Sequence, residues 1–128
     1  MKPTILSIED NPDNRVLLSR VFRLFWPESY DLMEAGNGTD GLTIAESRAV
    51  DLILLDINLP DMDGYEVARR LRSSTKHELA HIPIIAITAE AMKSDTKKCL
   101  EAGIDAYISK PINIQELWKT VQTLVPSK

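Results

Sequence analysis

The chain has 128 residues, a formal net charge of -4 and 27% charged residues, enough for one ordinary domain that buries roughly two-thirds of the surface its unfolded form exposes. Its 15 Lys and Arg residues form no long run, which argues against direct nucleic-acid binding or a basic membrane patch, and no apolar stretch reaches the ~18 residues of a membrane span. One cysteine, Cys99, excludes an internal disulfide, and with no apolar leader at the N-terminus the expectation is a cytoplasmic protein with Cys99 at least half-buried in a helix.

Thr4-Ile5-Leu6-Ser7-Ile8 is β-prone and apolar, and it is followed by Glu9-Asp10. Asn11 is a good cap and Pro12 a good first residue for the helix that follows, whose Val16, Leu17, Val21, Leu24 and Phe25 recur at helical steps and predict one buried face. Pro27 ends it. Tyr30 to Ala35 alternates in polarity and predicts a strand near a sheet edge. Gly36-Asn37-Gly38 turns into a helix over 39–48, with Leu42, Ile44 and Ala45 as packing residues.

Leu52-Ile53-Leu54-Leu55 has no polar interruption, as a central parallel strand covered on both faces requires; Asp56 comes directly after it. The loop Asn58 to Gly64 leads into a helix over 65–72, and 73–81 reads as a polar connection. A strand over 82–87 is followed by Thr88, then by a helix over 89–101 that stops at Gly103, a left-handed cap. Lys93, Lys97 and Lys98 on that helix are broken up by Asp95 and Glu101 and read as a solvated face. A fifth strand over 105–109 precedes Lys110-Pro111, and Ile112-Asn113 opens a last helix with the stripe Ile114, Leu117, Trp118, Val121 and Leu124.

Strand then helix, five times over, calls for right-handed crossovers and a parallel sheet with helices on both faces. The expected architecture is α/β, a flavodoxin-like (βα)5 three-layer sandwich with strand order 2-1-3-4-5. That order places the most apolar strand centrally and sets the ends of strands one and three side by side. Ligands of open parallel sheets bind in the crevice outside such carboxyl ends. There this chain would collect Glu9, Asp10, Asp56, Thr88 and Lys110.

Three clustered carboxylates repel one another unless a cation joins them, and Mg²⁺ takes oxygen ligands from one or two carboxylates plus phosphate and water. Asp10, Asp56 and the backbone carbonyl of Asn58 are the expected ligands, with Glu9 holding a metal-bound water; Mn²⁺ is an alternative ion. Asp56, backed by a rigid apolar strand, is the expected nucleophile for a phosphoryl group. Lys110 supplies a mobile ammonium and Thr88 a hydroxyl to the phosphoryl oxygens. Taken singly, each of these residues is more often a cap or a surface charge; it is their joint placement that points to a site.

Glu9-Asp10-Asn11-Pro12, Asp56 with Pro60-x-Met62-Asp63-Gly64, Thr88-Ala89 and Lys110-Pro111 together closely resemble the response-regulator receiver domain of two-component signalling. The resemblance covers essentially all of residues 1–128. It implies that Asp56 accepts a phosphoryl group from a phosphohistidine on a sensor histidine kinase or histidine phosphotransfer protein. It also implies that Glu9 and Asp10 form the acidic pair, that Thr88 and Tyr107 are switch residues, and that Lys110-Pro111 is a cis bond. A downstream protein partner would read the face over 90–128, and the only chemistry catalysed would be the domain's own aspartyl phosphorylation and dephosphorylation. Asn11-Pro12-x-Asn14-Arg15 and Ala89-x-Ala91-Met92 look like the subset found in single-domain regulators and hybrid histidine kinases. No output module is visible after the last helix, which suits a stand-alone shuttle or a domain excised from a larger protein.

Three rivals are weighed against this reading. A haloacid dehalogenase-type phosphatase needs a carboxylate two residues after the nucleophile to move protons, and Asn58 stands there. A flavodoxin-like cofactor binder needs a loop rich in glycine and hydroxyls after the first strand, where this chain has negative charge. A degenerate, interaction-only receiver is disfavoured because every chemically required position is filled.

Overall fold

Five strands pair in parallel in the order β2-β1-β3-β4-β5, built from β1 (Thr4–Ile8), β2 (Asp31–Ala35), β3 (Leu52–Asp56), β4 (Ile84–Thr88) and β5 (Ala106–Ser109). The computed structural model describes residues 2–89 and 93–126. Six helices connect and follow the strands: α1 (Pro12–Phe25), α2 (Gly38–Ser47), α3 (Gly64–Arg72), α4 (His77–Ala80), α5 (Lys93–Glu101) and α6 (Ile114–Leu124). Every residue of β3 is buried, as an uninterrupted apolar strand in the middle of a covered sheet must be. At the edge, β2 keeps Asp31 and Glu34 exposed.

Successive strand residues point to opposite faces, so β3 serves two cores. Ile53 and Leu55 join Ile8, Val67, Leu71, Ala86, Cys99 and Ile104 on one side. Leu52 and Leu54 join Leu18, Phe22, Trp26, Ile87, Ile108 and Leu117 on the other. This is the three-layer sandwich, and Cys99 is buried within it.

The packing of α1 differs from the sequence expectation. Its buried residues are Leu18, Val21 and Phe22, whereas Val16, Leu17, Leu24 and Phe25 are 49%, 50%, 72% and 64% exposed. Two apolar stripes overlap at Val21. The stripe ending at Trp26 wins because Phe22, Trp26, Tyr30 and Trp118 form a chain of ring contacts, with Trp26 and Trp118 centred 4.9 Å apart, and aromatic side chains carry the largest buried areas. In α6 the stripe is as expected at Leu117 and Val121, while Ile114 at its start is exposed.

Residues 73–81 are not wholly irregular, because α4 occupies His77–Ala80 and buries Leu79. Arg72 organises this turn, donating from Nε to Gly103 O (2.9 Å) and from Nη1 to Ile82 O (2.7 Å), with Nη2 on Asp105 Oδ2 (3.0 Å). Strand β4 begins at Ile84 rather than 82: the Ile82 amide closes onto Leu79 O and Pro83 has no amide to give the ladder. Helix α2 spans Gly38–Ser47, one residue ahead of expectation at each end, and α6 starts at Ile114 with Asn113 as its cap. Gly103 ends α5 with φ of 83°, the left-handed conformation that glycine adopts without steric cost.

Candidate functional site

The carboxyl ends of β1 and β3 are adjacent, and the residues that follow carry the charge. Glu9 and Asp56 are buried and Asp10 is exposed, and one carboxylate oxygen from each lies within 4.8 Å of the others. Asp56 ends the fully buried strand β3, and its Oδ1 accepts the Asn58 amide at 2.9 Å. Gly64 makes room behind it: a Cβ there would fall 2.7 Å from the Asp56 carbonyl oxygen.

From β5, Lys110 reaches into the same pocket. Its Nζ lies 3.2 Å from Asp56 Oδ2 and 3.6 Å from Glu9 Oε1. The Lys110 amide donates to Thr88 O at 2.8 Å, which ties the end of β5 to the end of β4, and the Lys110–Pro111 bond is cis. Thr88 is buried at the last position of β4. Tyr107 lies on β5 with its ring exposed. Residues 90–92, which include Ala91 and Met92 of the subset motif and the start of the expected partner face, lie outside the described residues.

Two residues that sequence reasoning named only as part of a motif hold the acidic pair in place. Asn14 Nδ2 donates to Glu9 Oε1 at 2.7 Å, and Arg15 Nη1 donates to the carbonyls of Glu9 (2.8 Å) and Asp10 (3.0 Å). Both lie in the first turn of α1, directly after the acidic pair.

The electrostatics are unbalanced toward negative charge. Burial, and next the Asp56 carboxyl, which favours a shared proton and repels a second anion, push the Glu9 carboxyl up to about 7. Burial of Lys110 works against its charge, but the facing Asp56 and Glu9 carboxylates outweigh this and raise it above the usual lysine range. Among the described residues, none offers a hydrogen-bond partner to the buried Glu9 Oε2. An orphaned carboxylate oxygen beside two further carboxylates is an all-oxygen donor set suited to a hard divalent cation, so the residues present fit Mg²⁺ or Mn²⁺.

A doubly covered parallel sheet with an acidic cleft and a lysine at its carboxyl edge defines a class of aspartate-bearing α/β domains. Within that class the response regulator receiver domain family matches residues 5–122, and the chain belongs to it. The polar-differentiation response regulator DivK of Brucella anthropi is 38% identical over 124 residues, covering 96% of each chain. The receiver domain of the sensor histidine kinase PA1611 from Pseudomonas aeruginosa superimposes with a TM-score of 0.85 at 33% identity. That match covers 99% of this chain and 100% of the other, and its structure has a magnesium ion coordinated in the active site cleft. The response regulator Rcp1 in its Mn²⁺-bound form matches with a TM-score of 0.75 at 26% identity, over 94% and 90% of the two chains. The protein is therefore a receiver-type, phosphorylation-dependent signalling switch. Neither the phosphatase nor the cofactor-binder reading draws support from these likenesses.

Proposed function

We propose that residues 1–128 form one receiver domain in which Asp56 accepts a phosphoryl group from a phosphohistidine. The donor would be a sensor histidine kinase or a histidine phosphotransfer protein. The observation that carries the proposal is the setting of Asp56: buried, fixed at the end of the central strand, flanked by Glu9 and Asp10, and met by the Lys110 ammonium at 3.2 Å.

Asp10, Asp56 and the Asn58 carbonyl would hold Mg²⁺, or Mn²⁺ in its place, with Glu9 holding one of its waters. Bound there, the ion offsets negative charge on the entering phosphoryl group and on the carboxylate. The ions in the PA1611 receiver domain and in Rcp1 support this reading. One Asp56 oxygen attacks phosphorus as the P–N bond to the donor imidazole breaks, and that bond's electron pair returns to the ring. The Asn58 amide keeps the carboxylate oriented. Lys110 and Thr88 then donate to phosphoryl oxygens, which draws the loops after β4 and β5 toward Asp56.

That movement is the signal. It biases two conformations separated by a few kcal/mol, with Tyr107 turning inward from its exposed position to alter a face formed by α5, β5 and α6. A downstream protein reads that face. The test is to add beryllofluoride with Mg²⁺, a mimic of the phosphoryl group, and follow amide NMR shifts. Changes extending from Asp56 through residues 106–112 to α6 are expected; changes confined to the immediate surroundings of Asp56 would mean the site binds without transmitting.

A further inference from the structure

Asp61, in the loop between β3 and α3, reaches across to a different helix. Its Oδ1 accepts the Gly38 amide at 2.8 Å, and its Oδ2 accepts both the Thr39 amide (2.8 Å) and the Thr39 hydroxyl (2.6 Å). Those amides open α2, where backbone donors have no intrahelical acceptor. The side chain of the helix's own cap, Asn37, accepts from Asp40 N. Asp61 thus completes the cap of a helix 22 residues away, with a negative charge at the positive end of the helix dipole. Its three donors hold the carboxyl down to about 2, so the clamp is charged at any pH at which the domain works.

The base of the same loop carries the site. The Asn58 amide donates to Asp56 Oδ1 at 2.9 Å; Asn58 and Asp63 form an antiparallel bridge; and the Gly64 amide closes onto Ile57 O at 2.8 Å. Residues 57–64 are therefore a closed loop, cross-linked at its base beside the nucleophile and fastened at its tip to a different helix. We propose that Asp61 is a positioning residue for the phosphoacceptor site, anchoring the loop to α2 so that the Asn58 backbone stays fixed against Asp56. This rests on the reading of Asp56 and Asn58 given above.

The experiment compares the full chain with Asp61→Ala, with Asp61→Asn, which keeps one acceptor oxygen, and with Leu79→Ala. Leu79 is buried in α4, the helix that leads to the amino end of β4, so its truncation lowers stability without removing any of the hydrogen bonds that close or anchor the loop. Two quantities are read: amide hydrogen exchange at Asn58 in metal-free protein, and the Kd for Mg²⁺ from amide shifts. Asp61→Ala should speed Asn58 exchange and weaken Mg²⁺ binding by about tenfold, the lower end of what loss of a partner behind a metal ligand costs. Asp61→Asn should fall between it and the parent, and Leu79→Ala should leave both quantities unchanged. Parental exchange and affinity in Asp61→Ala, or an equal loss in Leu79→Ala, would overturn the proposal. A parent chain that binds no Mg²⁺ would remove the functional reading instead, and Asn58 exchange in the metal-free variants would still decide the role of Asp61.

Discussion

Lys110 Nζ stands 3.2 Å from Asp56 Oδ2, spanning from the end of β5 to the end of β3 across the intervening β4. The contact already sets a cation against the carboxylate proposed to accept the phosphoryl group. It also joins the end of β3 to the edge of the sheet proposed to transmit the signal. Lys110→Met should leave Asp56 open to labelling but shrink the beryllofluoride-induced shifts over residues 106–112. In metal-free protein it should cost on the order of 1 to 3 kcal/mol in urea unfolding, because two buried carboxylates lose their counter-charge.

Glu9 should make the metal-free protein less stable as pH rises. Its carboxyl is raised from 4.5 to about 7 in the folded state, so between those values the folded chain holds a proton that the unfolded chain has released. Stability from this group is full below about pH 4.5 and is lost as pH rises through 7, a change of at most roughly 3 kcal/mol. Glu9→Gln, neutral throughout, should be more stable than the parent at about pH 8 and indistinguishable at about pH 4. Urea unfolding with chelator at both pH values checks this; a parent curve that rises from pH 5 to 8 relative to the variant contradicts it.

The two apolar stripes of α1 should separate cleanly under mutation. Phe22→Ala removes a ring buried among Trp26 and Tyr30 and should cost about 3 to 5 kcal/mol. Leu24→Ala, at 72% exposure, should stay within about 0.5 kcal/mol of the parent. Equal costs at the two positions would mean that the helix is rotated from the orientation described.

Strand order and the positions of Glu9, Asp10, Asp56 and Lys110 were legible in the sequence because an unbroken apolar run admits few environments, and the residue after it inherits a fixed place. The faces of α1 were not: Val16, Leu17, Leu24 and Phe25 satisfy helical spacing as well as Leu18, Val21 and Phe22 do, and only the aromatic partners on α6 and after α1 decide between them. Helix α4 was hidden because four residues are too few for periodicity to register, and it depends on Arg72 bonds to carbonyls up to 31 residues away. The roles of Asn14, Arg15 and Asp61 rest on hydrogen bonds that no spacing rule announces.

The proposed switch depends above all on Asp56 being the phosphoacceptor. Intact-mass spectrometry of the chain incubated with Mg²⁺ and a small phosphodonor, beside Asp56→Asn treated identically, tests it most directly. One base-labile phosphoryl adduct is expected on the parent and none on the variant; equal labelling of Asp56→Asn would place the nucleophile elsewhere.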